Sequence, residues 1–245
     1  MRADPSRQRS LLELQTLDTT LAQLGHRQST LPEHARLAEL EAAVSATEST
    51  LLLARTEHED VQRELRKADA DVQLVRDRAE RDRQRLQAGT GNAKDLQGIQ
   101  HELESLARRQ DVLEEAELEV MERAEAAEEQ VRAAEQELAT LTGEAEQVRA
   151  GRDAATADLT AQSARVAADR DRLVEVTGPD LVALYEKIRA RSGSGAAPLV
   201  ARRCGGCQLE LHSVDLGRMR AADEDEVLRC EECGRILVRT EESGL

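Results

Sequence analysis

From Leu37 onward the chain places its helical stripe at positions 37, 40, 44, 47, 51, 54, 58, 61, 65, 68, 72, 75, 79, 82 and 86. The steps alternate strictly between three and four residues, and only Thr47, His58 and Asp82 in that set are polar. Such a repeat keeps one narrow face of a helix turned towards a second helix and leaves the remainder for water, which is the requirement of a coiled coil. A second seam opens at Leu96 and continues through Ile99, Leu103, Leu106, Leu113, Val120, Val131, Leu138, Leu141, Val148, Leu159, Val166, Leu173 and Val176. Alanines fill many intermediate positions, and Gln110, Glu117, Arg152, Gln162 and Asp169 are the polar exceptions. About eighty residues in one phase predict a single long helix.

Between the seams lies Gln87-Ala-Gly-Thr-Gly-Asn-Ala-Lys94, where Gly89 and Gly91 give the backbone freedom for a reversal and Thr90 or Asn92 can cap the following helix. The arms on either side are nearly equal, so an antiparallel hairpin about 120 Å long is expected at 1.5 Å per residue. Cross-partners should then have residue numbers adding to about 179 or 180, which sets Leu86 near Ala93, Leu65 near Glu114 and Pro32 near Val148. A parallel homodimer of long helices is the competing arrangement; the glycine turn and matched arms favour the hairpin. An earlier stripe at Leu14, Leu17, Leu21 and Leu24 falls out of register with Leu37, so a kink or restart is expected near 25–32, at Pro32, with Ser29 or Thr30 as N-cap. The hairpin is thus assigned to residues 1–178.

The four cysteines stand as Cys204-Gly-Gly-Cys207 and Cys230-Glu-Glu-Cys233, with 22 residues between the pairs. Two residues between thiolates let one tight turn aim both sulfurs at one ion, and two such turns complete a tetrahedral zinc sphere. A sphere filled by four thiolates has no position for water, so one structural Zn2+ is implied rather than a catalytic one. Two disulfides are the alternative, but Met-Arg-Ala-Asp-Pro-Ser-Arg-Gln-Arg at the N-terminus lacks an apolar secretory stretch, which points to a reducing cytoplasm. A redox pair would need only one CxxC and a surrounding βαβ pattern. His212 reads as a surface imidazole beside an already complete site.

Gly178 and Pro179 close the hairpin and begin a short helix carrying Leu181, Val182, Leu184, Tyr185 and Ile188, expected to cover Leu11, Leu12 and Leu173 at the hairpin's base. Residues 179–192 form this base helix and linker, and Arg191 to Pro198 reads as a flexible joint. The ribbon then occupies 196–245, with strands at 199–203, 227–229 and 236–239 and a short helix or loop over 214–222. The fold class is therefore mainly α: a long antiparallel coiled-coil hairpin with a small C-terminal β-rich zinc ribbon.

Composition restricts what else is feasible. Phe and Trp are absent and Tyr185 is the one aromatic, so a large globular core is not expected. The net charge of −15 disfavours a general polyanion binder, and no apolar run long enough to span a membrane is present.

The stretch Gly91-Asn-Ala-Lys-Asp-Leu-Gln-Gly-Ile-Gln-His-Glu-Leu103 resembles the hairpin-tip motif, roughly N-x-K-E-[YF]-x-A-L-x-x-E-[IL], of a bacterial family that joins a coiled-coil hairpin to a C-terminal four-cysteine zinc ribbon. Cys230-Glu-Glu-Cys-Gly-Arg-Ile-Leu237 is similar to that family's second knuckle, C-x-x-C-G-R-[IL]-L. The match spans essentially the whole chain, and the Arg and Ala content is that of an actinobacterial-type member. The resemblance implies a non-enzymatic regulator or chaperone; relatives in flagellated or type III secreting bacteria bind an alternative sigma factor, export components or messenger RNA. Leu96 stands where those relatives often carry an aromatic, and Val238 where a Tyr commonly follows the knuckle.

Charge singles out two candidate contact surfaces. Around the reversal, residues 76–95 hold six bases against four acids, whereas 111–138 holds eleven acids and only Arg123 and Arg132. Arg81, Arg83, Arg85, Asn92 and Lys94 are thus candidates at the tip, and Arg202, Arg203 and Arg235 beside the knuckles. Both sets have a plainer explanation, as solvating ion pairs on the helix and as counter-charge to the thiolates on the ribbon. The preferred function is an adaptor or regulator that binds a protein partner. The alternative is an RNA-binding or transcription-associated regulator using the same arginines, one version of which would place a metal on Asp82 and Asp95. No nucleophile, base and orienting group cluster, so neither an enzyme nor a small-molecule substrate is expected.

Overall fold

The computed structural model describes residues 1–89 and 91–245. In chain order the elements are α1 (Pro5–Ser29), α2 (Pro32–Gln87), α3 (Ala93–Thr177), α4 (Pro179–Ser192), β1 (Ala196–Val200), β2 (Arg203–Cys204), α5 (Ser213–Ala221), β3 (Leu228–Arg229) and β4 (Ile236–Val238). They divide into two compact units, Ala35–Arg149 and, together, Met1–His34 with Ala150–Leu245. The long helix α3 supplies residues to both, and α2 has its first three residues in the second.

Within 35–149, α2 and α3 form the antiparallel hairpin. Every α2 seam position from Leu37 to Leu86 is buried or half-buried, including Thr47 and Asp82. Opposite them, α3 buries Leu106 and the small side chains of Ala124, Ala127, Ala134 and Ala145. Leu37 and Leu40 pack with Leu141, Ala145 and Val148, and Val75 and Ala79 with Leu103, Leu106 and Leu113. Val148 thus lies with Leu37, so pairing within 35–149 is shifted by about five residues from the expected register. The expectation took the reversal as symmetric about its glycines, whereas knobs are set by seam positions, and the seam of α3 opens at Leu96, one turn after the helix itself begins at Ala93. Arg36–Glu144, Arg55–Glu135, Arg76–Glu114 and Arg78–Glu102 flank the seam at 2.6–3.2 Å. All of these are solvent-exposed, so each contributes at most about 1 kcal/mol.

The other unit is assembled differently. Asp4 caps α1, its carboxylate accepting from Ser6 N at 2.8 Å, and Pro5 occupies the first turn. Leu11 and Leu14 of α1, Leu181, Tyr185 and Ile188 of α4, and Ala196, Ile236 and Val238 of the strands form one continuous core, with Leu173 and Val174 of α3 packed against it. The sheet has the order β2-β1-β4-β3, with β1 parallel to β4 and the other pairs antiparallel. Residues 1–3 lie along 225–227, where Ala3 N donates to Asp225 O at 2.7 Å and Val227 N to Met1 O at 3.0 Å. The flexible joint expected at 191–198 is absent: α4 runs to Ser192, Gly195 N donates to Gln15 Oε1 at 2.7 Å, and Ala196 and Ala197 are buried. Small residues read as a linker are here the ones small enough to sit between a helix and a sheet.

Two further expectations change. Ser29 and Thr30 do not cap α2; both hydroxyls donate back to His26 O, at 2.9 and 2.8 Å, and so close the end of α1. The α3 seam also leaves its heptad phase beyond Leu159, because Gln162, Asp169 and Val176 are exposed while Arg170, Val174 and Thr177 turn inward. A straight helix drifts against a strict seven-residue repeat, and this stretch packs against α1 and α4 together rather than one partner.

Candidate metal centre and contact surfaces

Cys204 ends β2 and Cys207 lies on the turn after it, and Cys230 and Cys233 lie on the turn that follows β3. The two turns repeat one hydrogen-bond pattern. Gln208 N donates to Cys204 O at 2.7 Å and Gly234 N to Cys230 O at 2.8 Å; Cys204 N donates to Leu209 O at 3.0 Å and Cys230 N to Arg235 O at 2.9 Å. Gly234 has φ 73°, as the turn requires, and its counterpart Gln208 adopts φ 61° without being a glycine. The first turn needs its small residues for space: a Cβ on Gly206 would lie 2.7 Å from Arg235 Cδ.

All four Sγ atoms lie within 4.8 Å of one another, with Cys204–Cys233 at 3.8 Å and Cys207–Cys230 at 3.9 Å. A tetrahedron of sulfurs about 2.3 Å from a central zinc has edges of about 3.8 Å, so the cage fits one ion, and the cysteines are free rather than paired in disulfides. As thiols they are pulled apart by their surroundings. Burial pushes Cys204 up, against the lowering effect of the Cys207 and Gly206 N–H groups, and pushes Cys230 up to about 12, against Cys233 and Glu232. Burial also acts upward on Cys233, but the backbone and side chain of Arg235 together with the neighbouring thiols bring it down to about 7. A divalent cation at the centre supplies the charge that the buried thiolates need.

The expected ribbon arginines part ways. Arg235 bridges Ser194 Oγ and, at 3.0 Å, Ser192 O, so it fastens the second knuckle to the end of α4. Arg203 lies 3.8 Å from Glu210, and Arg202 is exposed at the turn between β1 and β2. At the tip, Asn92 Oδ1 accepts from Asp95 N at 3.0 Å while Asp95 Oδ2 accepts from Asn92 N at 3.1 Å, a reciprocal cap on α3. Thr90, the other cap candidate, lies outside the described residues. Asp82 is buried in the seam and 3.5 Å from Arg85, whereas Asp95 is engaged in the cap of α3, so the two carboxylates serve different contacts. Arg83 is paired with Glu80 at 3.6 Å; Arg81 and Lys94 are exposed.

Sequence reasoning missed a buried polar cluster. Asp18 is 2% exposed; it receives Arg170 Nε at 2.7 Å, Arg189 at 3.2 Å and the Tyr185 hydroxyl at 2.7 Å. Glu186 closes the cluster from below, binding both Arg170 and Arg189. Burial and then the hydrogen bond to Asp18 push the Tyr185 phenol well above its ordinary range, and the Asp18 hydrogen bond raises Arg170. These groups neutralise one another, so the cluster is a clasp between α1, α3 and α4. The lone aromatic in the chain and an aspartate four residues beyond the apolar Leu14 were its faint signals.

A helical hairpin fused to a four-thiolate ribbon defines a class of coiled-coil zinc-ribbon proteins. The chain belongs to the family of the CT398-like coiled coil hairpin domain, whose model matches residues 14–193, and a C4-type zinc ribbon domain matches 203–237. It is 39% identical to a Mycobacterium tuberculosis protein over 98% of both chains. A solved structure from Mycobacterium smegmatis is 41% identical, with a TM-score of 0.81 over 98% of this chain and 100% of that one. The structure of CT398 from Chlamydia trachomatis, 18% identical, shares the fold with a TM-score of 0.62 over 96% and 98% of the two chains. The ribbon carries one structural zinc. Among the described residues no helix is long and apolar enough to cross a membrane.

Proposed function

We propose that the chain is a cytoplasmic, non-enzymatic adaptor or regulator whose zinc braces a surface for a protein partner. The observation that carries this reading is the closed sulfur cage: four thiolates leave the metal no open position for substrate, so its contribution is shape. The helical hairpin supports it, offering long exposed faces and open, shallow concavities in place of an enclosed reaction chamber. The RNA alternative draws less support, since Arg83, Arg85 and Arg235 are occupied within the chain and stacking aromatics are missing.

Capture from native cytosol with the zinc-loaded chain as bait, with and without nuclease, tests the reading. A protein partner retained after nuclease is the expected result. Capture that disappears with nuclease and falls steeply with salt would transfer the assignment to RNA. Reversing Arg81, Arg83 and Arg85 to glutamate separates a tip contact, which this abolishes, from one made elsewhere.

A further inference from the structure

The outer face of α1 is not covered along its whole length. A concavity of about 890 Å³ lies between α1 and the sheet, floored by Pro5, Leu12, Pro198, Val200 and Val238. A second, of about 410 Å³, lies between α1 and the end of α3, where Leu17, Leu173 and Val176 line it. The two meet at Glu13, which borders both. Val176 is 65% exposed although it holds a heptad position, so the drift of α3 has left an apolar side chain facing this channel.

The rim has one dominant sign. Glu13, Glu224, Glu241 and Glu242 stand around the larger concavity, all exposed and, among the described residues, without an ion-pair partner. Of the two arginines there, Arg239 is spent on the carbonyls of Asp223 and Glu224, at 3.0 and 3.1 Å, and on those of Met219 and Ala222 behind them. Among the described residues Arg9 has no ion-pair partner either, and Asp169 and Arg172 beside the smaller concavity neutralise each other. An apolar floor under a rim of four carboxylates and two guanidinium groups, an excess of two negative charges, matches a segment that presents leucine- or valine-like side chains flanked by lysine or arginine.

We infer that this channel is the docking site of a basic, apolar peptide segment of a protein partner. The inference rests on the adaptor reading and assigns that contact to the zinc-ribbon end of the chain. Electrostatics supply orientation and capture, and the floor supplies most of the residence time.

The test uses the full zinc-loaded chain and three short synthetic peptides followed by fluorescence anisotropy: leucine with lysine, leucine with glutamate, and serine with lysine. Only the first should bind. Glu13→Lys, Glu241→Lys and Glu242→Lys together should weaken it by about tenfold or more, since the three reversals turn a net negative rim positive. Val176→Ser, at an exposed position that folding does not need, should weaken it by about threefold. Glu119→Lys, Glu122→Lys and Glu125→Lys on the exposed face of α3 should change nothing. Equal binding of the lysine and glutamate peptides, equal binding of the serine peptide, or an equal loss in the α3 variant would overturn the inference. A cytosolic partner that the groove variant still holds overturns the channel but leaves the adaptor standing, whereas a wild-type chain that holds no protein at all removes both.

Discussion

The two compact units solve the same problem with opposite means. Residues 35–149 repeat one device: a seam residue every three or four positions, alanine where the helices approach closely, and exposed arginine–glutamate pairs alongside. The unit made of 1–34 and 150–245 repeats nothing. Its core draws on α1, α3, α4 and two strands, it holds a five-membered polar clasp around the buried Asp18, and its sheet is too small to hold without a metal. The lesson is about cooperativity. A periodic structure loses stability layer by layer, whereas a core shared between non-repeating elements passes a local loss to all of them.

Metal removal puts that contrast to its largest test. Binding at a structural four-cysteine site is worth on the order of 10 kcal/mol of folding free energy. Because Ala196, Ile236 and Val238 share a core with Leu11, Leu14 and Tyr185, chelation or Cys230→Ser should remove hydrogen-exchange protection from α1 and α4 as well as from the ribbon. Residues 40–86 and 96–145 should keep theirs. Protection that persists in α1 after zinc is lost would show the ribbon to be an independent module.

Asp18→Ala comes next. It leaves Arg170, Arg189 and the Tyr185 hydroxyl without their common partner inside the protein, and breaking a buried ion pair from one side costs about 3–5 kcal/mol. Glu39→Ala removes the carboxylate of an exposed pair with Arg36 and should cost under about 1 kcal/mol. Urea midpoints that shift equally for the two variants would erase the distinction between the units.

What the sequence disclosed follows the same division. The α2 seam, the reversal and the four ligands were all readable because each rests on a local rule of spacing, and spacing survives in a one-dimensional string. The pairing register lies about five residues from the one the turn implies, because the glycines of a reversal do not fix which seam positions meet. The segment before β1 is ordered because Ser-Gly-Ser-Gly-Ala-Ala signals flexibility only when nothing large lies against it, and here Tyr185 and Gln15 do. Nothing in the local sequence marks Asp18 as buried; its burial depends on Arg170 and Arg189, more than 150 residues away in the chain. Long-range polar pairing leaves no period to find.

Two smaller effects sharpen the comparison, one in each unit. In the hairpin, Thr47→Val exchanges a hydroxyl for a methyl at a seam position that is 8% exposed, and should raise stability by about 1 kcal/mol. A loss instead would mean that the hydroxyl fixes the register of the pair. In the ribbon, Gln208 and Gly234 hold the same place in two matched turns, with φ of 61° and 73°. A side chain in the left-handed region costs about 1–2 kcal/mol, and a glycine's greater freedom in the unfolded chain takes back about 0.5–1 kcal/mol. Gln208→Gly should therefore stabilise the zinc-loaded protein by about 0.5 kcal/mol, and Gly234→Ala should destabilise it by a similar or larger amount. A chelator titration read by circular dichroism resolves the pair, because both turns must form before either can hold the metal. If Gln208→Gly weakens zinc retention, the glutamine side chain contributes to the first turn in a way that its backbone angle alone conceals.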